Sequence, residues 1–158
     1  MATLYTLTKE KVIEAQKKWA DGIIKVGQAY IEKQDYSEAA KVLIDELYAY
    51  DLSPVLFKPT LAAQQQFRSD KESALSYFVA TNGICPEDNG FAIKPWTAIR
   101  FENENVIIHG DTSLAMGNYF FTDTEGQIIK VEYTFGYILD KDGCLRINLH
   151  HSSLPYST

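Results

Sequence analysis

Cationic side chains are scarce in this chain: 15 Lys and Arg stand against 21 Asp and Glu, for a formal net charge of −6. A nucleic-acid surface needs clustered Lys and Arg to neutralise phosphates, so no nucleic-acid partner is expected. Cysteine is nearly absent. Cys85 and Cys144 are the only two, too few for a disulfide framework or a cysteine-rich zinc site. No run of about 18 apolar residues exists to cross a membrane. The opening MATLYTLTKEKV also lacks the apolar segment of a secretory leader. These absences predict a cytoplasmic protein without a membrane partner.

What is present is apolar and aromatic mass, 46% and 13% of the residues, enough for a core. A length of 158 residues fits one domain spanning 1–158. Thr8 is the predicted N-cap of a first helix, in which Val12, Ala15, Trp19, Ile23, Val26 and Tyr30 recur at three- and four-residue spacing. Gly22 and Gly27 inside that repeat each cost about 1 kcal/mol against Ala. They therefore predict close packing of another backbone. A second helix follows Gln34-Asp35, with Ala39, Val42, Leu43, Glu46 and Leu47 in its repeat. Pro54 and Pro59 bracket a short extended piece, VLFK. Ser69-Asp70-Lys71-Glu72 reads as a capping box that opens a third helix through Leu75, Phe78 and Val79.

From Gly90 onward Val, Ile, Tyr, Phe and Thr dominate segments near 91–102, 105–109, 112–123, 127–140 and 143–153. Turn signals separate them at Asn103-Glu104-Asn105, His109-Gly110-Asp111, Thr124-Glu125-Gly126 and Lys141-Asp142-Gly143. Helices within 8–82 followed by an antiparallel meander within 90–154 predict an α+β fold, with helices covering one face of a curved sheet. In VEYTFGYIL, Val131, Tyr133, Phe135, Tyr137 and Leu139 share one face, leaving Glu132 and Thr134 on the other. Thr134, Ile138 and aromatics on both faces make the outer surface too apolar to stay wet, which predicts a homodimer.

The closing stretch, LHHSSLPYST, poses the chemical question. Strict alternation along CLRINLHHSS puts Leu145, Ile147, Leu149, His151 and Ser153 on the apolar face. Arg146, Asn148, His150 and Ser152 then point away. Adjacent histidines on a strand diverge and His109 sits in a turn, so no His-based metal site is expected. His151 and Ser153 would have Cβ atoms about 7 Å apart, a poor nucleophile–base pair, and no Gly-x-Ser-x-Gly turn is present. A polar strand end satisfied by water is the plain alternative.

The stretch VIIHGDTSLAMGNYFFTDTEGQIIKVEYTFGYILDKDGCLRINLHHSSLP resembles the association domain of calcium/calmodulin-dependent kinase II. The shared frame runs from Gly-Asp through aromatic-Thr-Asp-x-x-Gly, Glu-x-Thr and Asp-Gly to a final His-x-Ser-x-x-Pro. With WADGIIKVG, VLFKPTLA and HHSSLP included, the likeness is closer to the iota-class carbonic anhydrases and covers nearly the whole chain. The resemblance implies the nuclear transport factor-like fold, a cone of curved antiparallel sheet wrapped around the helices. It also implies metal-free hydration of CO2 to bicarbonate with no cofactor. It assigns pocket hydroxyls to Thr60, Tyr77 and Ser153 beside His151. Around them Tyr133 and Phe135 are expected to make a dry CO2 pocket, with Ser152 also at the substrate site. Arginines of the kinase domain are replaced by Phe135 and His151, a less cationic cavity that suits a neutral gas. A non-catalytic oligomerisation or small-ligand module on the same fold is the other reading. An isomerase or dehydratase is disfavoured, because no Asp stands in phase with His151.

Overall fold

The computed structural model describes residues 5–157. Helix α1 (Lys9–Ile31) starts where Thr8 accepts the Lys11 N–H at 3.2 Å, and Val12, Trp19, Ile23 and Val26 form its buried stripe. Tyr30, expected on that stripe, is exposed and packs edge-on against Tyr36. Helix α2 (Tyr36–Leu47) is capped by Asp35 and buries Ala40, Leu43 and Ile44. The short helix α3 (Lys71–Val79) starts one residue later than the capping box implied: Asp70, not Ser69, accepts the Ser73 N–H at 2.8 Å.

The two glycines of α1 do mark tight packing. A Cβ on Gly22 would lie 2.6 Å from Leu43 Cδ1, and one on Gly27 would lie 2.9 Å from the Ala92 carbonyl oxygen. Gly27 thus lets the 3-10 turn Phe91–Ile93 rest directly on the helix.

The sheet has five strands in the order β1-β5-β4-β3-β2. β1 (Leu56–Lys58) pairs parallel with β5 (Leu145–Ser153), whereas β2 (Trp96–His109), β3 (Thr112–Asp123) and β4 (Ile128–Leu139) form the antiparallel meander. Segments 91–102 and 105–109, expected as separate strands, belong mostly to β2, because Asn103-Glu104-Asn105 is a bulge rather than a turn. The core lies between the helices and the concave face, with Trp19 at its centre against Tyr119, Phe121 and Phe135. The α+β fold expected from the helix-then-strand order, with the curved sheet that the resemblance implied, is the fold observed.

One correction bears directly on the site. Gly136 pairs with Leu149 but the next residue, Tyr137, pairs with Ile147, so Asn148 is an extra residue in β5. Beyond this bulge the alternation inverts. Leu145 and Ile147 face the core as expected, but then His150 and Ser152 are buried while His151 is exposed. The bulge fits because its partner is a glycine: a Cβ at Gly136 would lie 2.8 Å from Leu149 Cβ and 2.9 Å from Asn148 Oδ1.

Candidate active site

A cavity of about 400 Å³ opens at one end of the cone, between the sheet and the loops flanking α3. Its walls are apolar and aromatic, including Tyr77, Phe91, Trp96, Phe121 and Val131, and its polar corner is Thr60. The rim carries Leu61 and Leu154, both exposed, with Lys94 stacked 4.7 Å over the Trp96 ring. Such a lining admits a small apolar molecule.

The acidic rim residues are already occupied. Asp88 is held by Arg68, whose Nη1 and Nη2 lie 2.6 and 2.7 Å from its two oxygens, and by the Ser76 hydroxyl at 2.6 Å. Glu87 accepts the backbone N–H groups of Ala63, Gln64 and Gln65, which hold its carboxyl below the usual range. Together these contacts fix the loop carrying Thr60 against the loop after α3.

Behind Thr60 runs a line of hydroxyls. Thr60 Oγ1 lies 2.5 Å from Ser152 Oγ, which lies 2.5 Å from the Tyr119 hydroxyl. That hydroxyl is 3.1 Å from His150 Nε2, and His150 Nδ1 is 2.8 Å from the Tyr48 hydroxyl. Trp19 Nε1–H closes the line, donating to Tyr48 at 3.0 Å. Lys58 Nζ reaches the Thr60 and Ser152 carbonyl oxygens, each at 3.4 Å, and so ties β1 to the end of β5. Desolvation lowers this ammonium from its ordinary value.

The Tyr77 hydroxyl accepts the Leu61 N–H at 3.3 Å, which leaves its own proton free to donate. Burial raises the Tyr77 phenol, with the Leu61 N–H and Thr60 hydroxyl pulling the other way. Burial likewise raises Tyr48 and Tyr119, so both stay protonated. His150 is sandwiched between Phe135 and Phe57, and burial pushes it down to about 3, helped by the neighbouring His151. It is a neutral imidazole at physiological pH.

The expected residues therefore divide. Thr60 and Tyr77 both line the cavity, and Ser152 stands in the buried line directly behind Thr60. His151 and Ser153 do not enter the cavity, because the Asn148 bulge turns them to the outer face, where Ser153 Oγ donates to Glu132 at 3.2 Å. Tyr133 and Phe135 are buried but do not line the cavity. The Tyr133 hydroxyl donates to Asn103 at 2.5 Å, and Phe135 backs His150. Sequence reasoning missed His150, Tyr119, Tyr48 and Trp19 as parts of one polar line. Among the described residues, no three His, Cys, Asp or Glu side chains gather so as to hold a metal ion.

Residues 10–154 match the family model described as metal-independent carbonic anhydrase. A metal-independent carbonic anhydrase from Nostoc sp. (strain PCC 7120 / SAG 25.82 / UTEX 2576) is 40% identical over 153 residues, covering 95% of this chain and 75% of that protein. The crystal structure of a cyanobacterial iota-carbonic anhydrase complexed with bicarbonate superimposes with a TM-score of 0.95. It is 36% identical, with 100% of this chain and 99% of that one covered. A nuclear transport factor 2-like superfamily protein from Salmonella enterica, 13% identical over 95% of this chain and 92% of its own, aligns with a TM-score of 0.55 and shares the fold alone. A match that runs through all the helices and every strand places this chain in the metal-independent carbonic anhydrase family, the iota class.

Proposed function

We propose that this chain interconverts CO2 and bicarbonate in the cavity beside Thr60, using hydroxyl groups and no metal or other cofactor. The observation that carries the reading is the Thr60–Ser152–Tyr119 line at the polar corner of an otherwise apolar pocket. Apolar walls suit CO2, and the hydroxyls can hold first water and then bicarbonate, since each both donates and accepts. In hydration the water oxygen bonds to carbon while one C=O electron pair moves onto oxygen. The Thr60 and Tyr77 protons meet the charge developing there, as donors already oriented in an apolar pocket do best. The proton lost by the water passes to solvent or buffer at the open rim.

Thr60, Tyr77 and Ser152 are the residues proposed to serve substrate, with Tyr119 and His150 supporting them from behind. The roles first given to His151 and Ser153 move one residue back, to His150 and Ser152, because the outer face cannot serve this cavity. Stopped-flow CO2 hydration tests the reading. We expect activity in the wild type that survives a chelator and falls sharply in Thr60→Val. Activity that is lost with chelator and restored by one divalent ion per chain would overturn it.

The outer face of the sheet supports a homodimer. Ile107, Leu114 and Met116 are 61%, 50% and 58% exposed and lie together on β2 and β3 beside Thr134 and His151. Neither Cys85 nor Cys144 is paired, which suits the reducing cytoplasm. No helix of the described residues is long and apolar enough to cross a membrane. Light scattering that gave a monomer at micromolar concentration would sink the dimer.

A further inference from the structure

We propose that Trp19 and Tyr48 are positioning residues that fix the direction of hydrogen-bond donation along the hydroxyl line, so that Thr60 presents its proton, not its lone pairs, to the cavity. This rests on the carbonic anhydrase reading of that cavity and names a determinant which that reading does not contain.

An indole N–H can only donate, so Tyr48 must accept from Trp19, 3.0 Å away. The Tyr48 hydroxyl has one proton of its own. Among the described residues the only other polar atom bonded to it is His150 Nδ1, at 2.8 Å. Tyr48 is fully buried, so a proton aimed elsewhere would have no acceptor. Tyr48 therefore donates to Nδ1, and the neutral imidazole carries its proton on Nε2.

Each later step follows from the one before it. His150 Nε2–H donates to the Tyr119 oxygen at 3.1 Å, so Tyr119 turns its own proton to Ser152 Oγ at 2.5 Å. Ser152 then donates to Thr60 Oγ1 at 2.5 Å, and the Thr60 proton is left for the cavity side, where the Tyr77 hydroxyl is its neighbour. The opposite arrangement begins with His150 protonated on Nδ1. It would leave the Tyr48 proton orphaned and reverse every bond down the line, so that Thr60 offered only an acceptor. An orphaned buried donor disfavours that arrangement by about tenfold or more.

Two consequences follow for the chemistry. The oxygen on which charge builds during hydration meets a donor that is already turned toward it, with no reorganisation at the moment of reaction. His150 is not the base, because both ring nitrogens are engaged and Nδ1 is closed off by Tyr48. Its part is to carry the direction set by Trp19 across the core.

The experiment is nitrogen-resolved NMR of ¹⁵N-histidine-labelled wild-type protein, with the His150 signals assigned by their loss in His150→Asn. A neutral ring protonated on Nε2 from about pH 5 to about pH 9 is expected. A ring protonated on Nδ1, or an imidazolium, overturns the proposal. In Tyr48→Phe, which removes one oxygen and keeps the ring, the Nε2–H population should fall. In the same variant kcat should drop about tenfold with KM little changed, since only the donor geometry is lost. An Nε2–H population and a kcat that both stay at wild-type values would overturn it too. The wild-type spectrum decides the matter even if the variant does not fold. An Nε2–H ring in a protein without CO2 hydration activity would uphold the direction of the line and sink the function. An active enzyme with an Nδ1–H ring would do the reverse.

Discussion

Phe135 and His150 lie face to face across the β4–β5 ladder, their ring centroids 4.0 Å apart and their planes inclined by 23°. On its other side His150 stacks on Phe57 at 4.8 Å. An imidazole between two phenyl rings, with no carboxylate at hand, is much easier to bury neutral than charged. The folded protein holds His150 at about 3, well below the ordinary value of about 6.5.

That depression has a sign. Between about pH 6.5 and about pH 3 the unfolded chain binds a proton at this position and the folded chain does not, so stability rises with pH across the window. His150 weighs nothing against the fold above about pH 6.5 and progressively more as the pH drops, to roughly a few kcal/mol in total. Urea melts from neutral to acid pH should show wild type losing stability more steeply than His150→Asn, whose amide does not titrate. The extra slope should approach one proton, about 1.4 kcal/mol per pH unit. Parallel curves for the two proteins would mean that His150 is charged inside the fold.

Gly136 sits opposite the Asn148 bulge, and a Cβ there would meet Leu149 Cβ at 2.8 Å. Both atoms belong to the strand pair itself and cannot swing aside as a long side chain would. Gly136→Ala should therefore cost about 1–3 kcal/mol, the usual range for overpacking. It should also lower activity in whatever folds, because relief comes by shifting β5 and with it Ser152. A melting temperature and hydration rate that both match wild type would show that the bulge does not depend on this glycine.

The same glycine explains what could and could not be read from the sequence. Helix α1, its Thr8 cap, the concave face of β4 and the α+β order were legible because each rests on local periodicity or capping. The phase of β5 was not, because one unpaired residue inverts every side chain beyond it. Two signals were nonetheless present. Gly136 stands inside the β4 segment VEYTFGYIL, and a glycine within a strand is a usual mark of a bulge or close approach. Counting back from Pro155, the spacing His-x-Ser-x-x-Pro also falls on His150 and Ser152, one step from the strand-phase reading. Tyr48 and Trp19 were beyond reach. Trp19 lies 29 residues before Tyr48, and Tyr48 lies 102 before His150, so only the packed core brings α1, the end of α2 and β5 together.

Arg68 is fully buried and bonds Asp88 through both terminal nitrogens, while also donating to the Gln65 and Ser73 carbonyls. Removing the cation would strand the Asp88 carboxylate, which is 3% exposed, with only Ser76 to satisfy it. Breaking one side of a buried ion pair costs about 3–5 kcal/mol, so Arg68→Met should lower the unfolding midpoint strongly. Changing both partners, as Arg68→Met with Asp88→Leu, should recover much of that loss, since no charge is left alone. A double variant no more stable than Arg68→Met would show that the backbone contacts of Arg68, not the ion pair, hold these loops.

The two serines of the closing stretch give the sharpest test of the site. Ser152 Oγ stands 2.5 Å from both Thr60 and Tyr119 in a fully buried position, so Ser152→Ala breaks the line at its middle. Thr60 then loses the donor behind it. The loss of a well-placed donor raises a barrier by about 2.7–4 kcal/mol, a rate loss of 10²–10³. Ser153 faces outward and its hydroxyl donates to Glu132 at 3.2 Å. Ser153→Ala should thus stay within about 0.5 kcal/mol of wild type in stability and keep its hydration rate. The histidines should separate in the same sense, with His150→Asn slow and His151→Asn near normal. A damaging Ser153 beside a silent Ser152 would restore the unbroken alternation of β5 and remove the bulge. Equal losses at both positions would place the outer face, and whatever packs on it, in the path of catalysis.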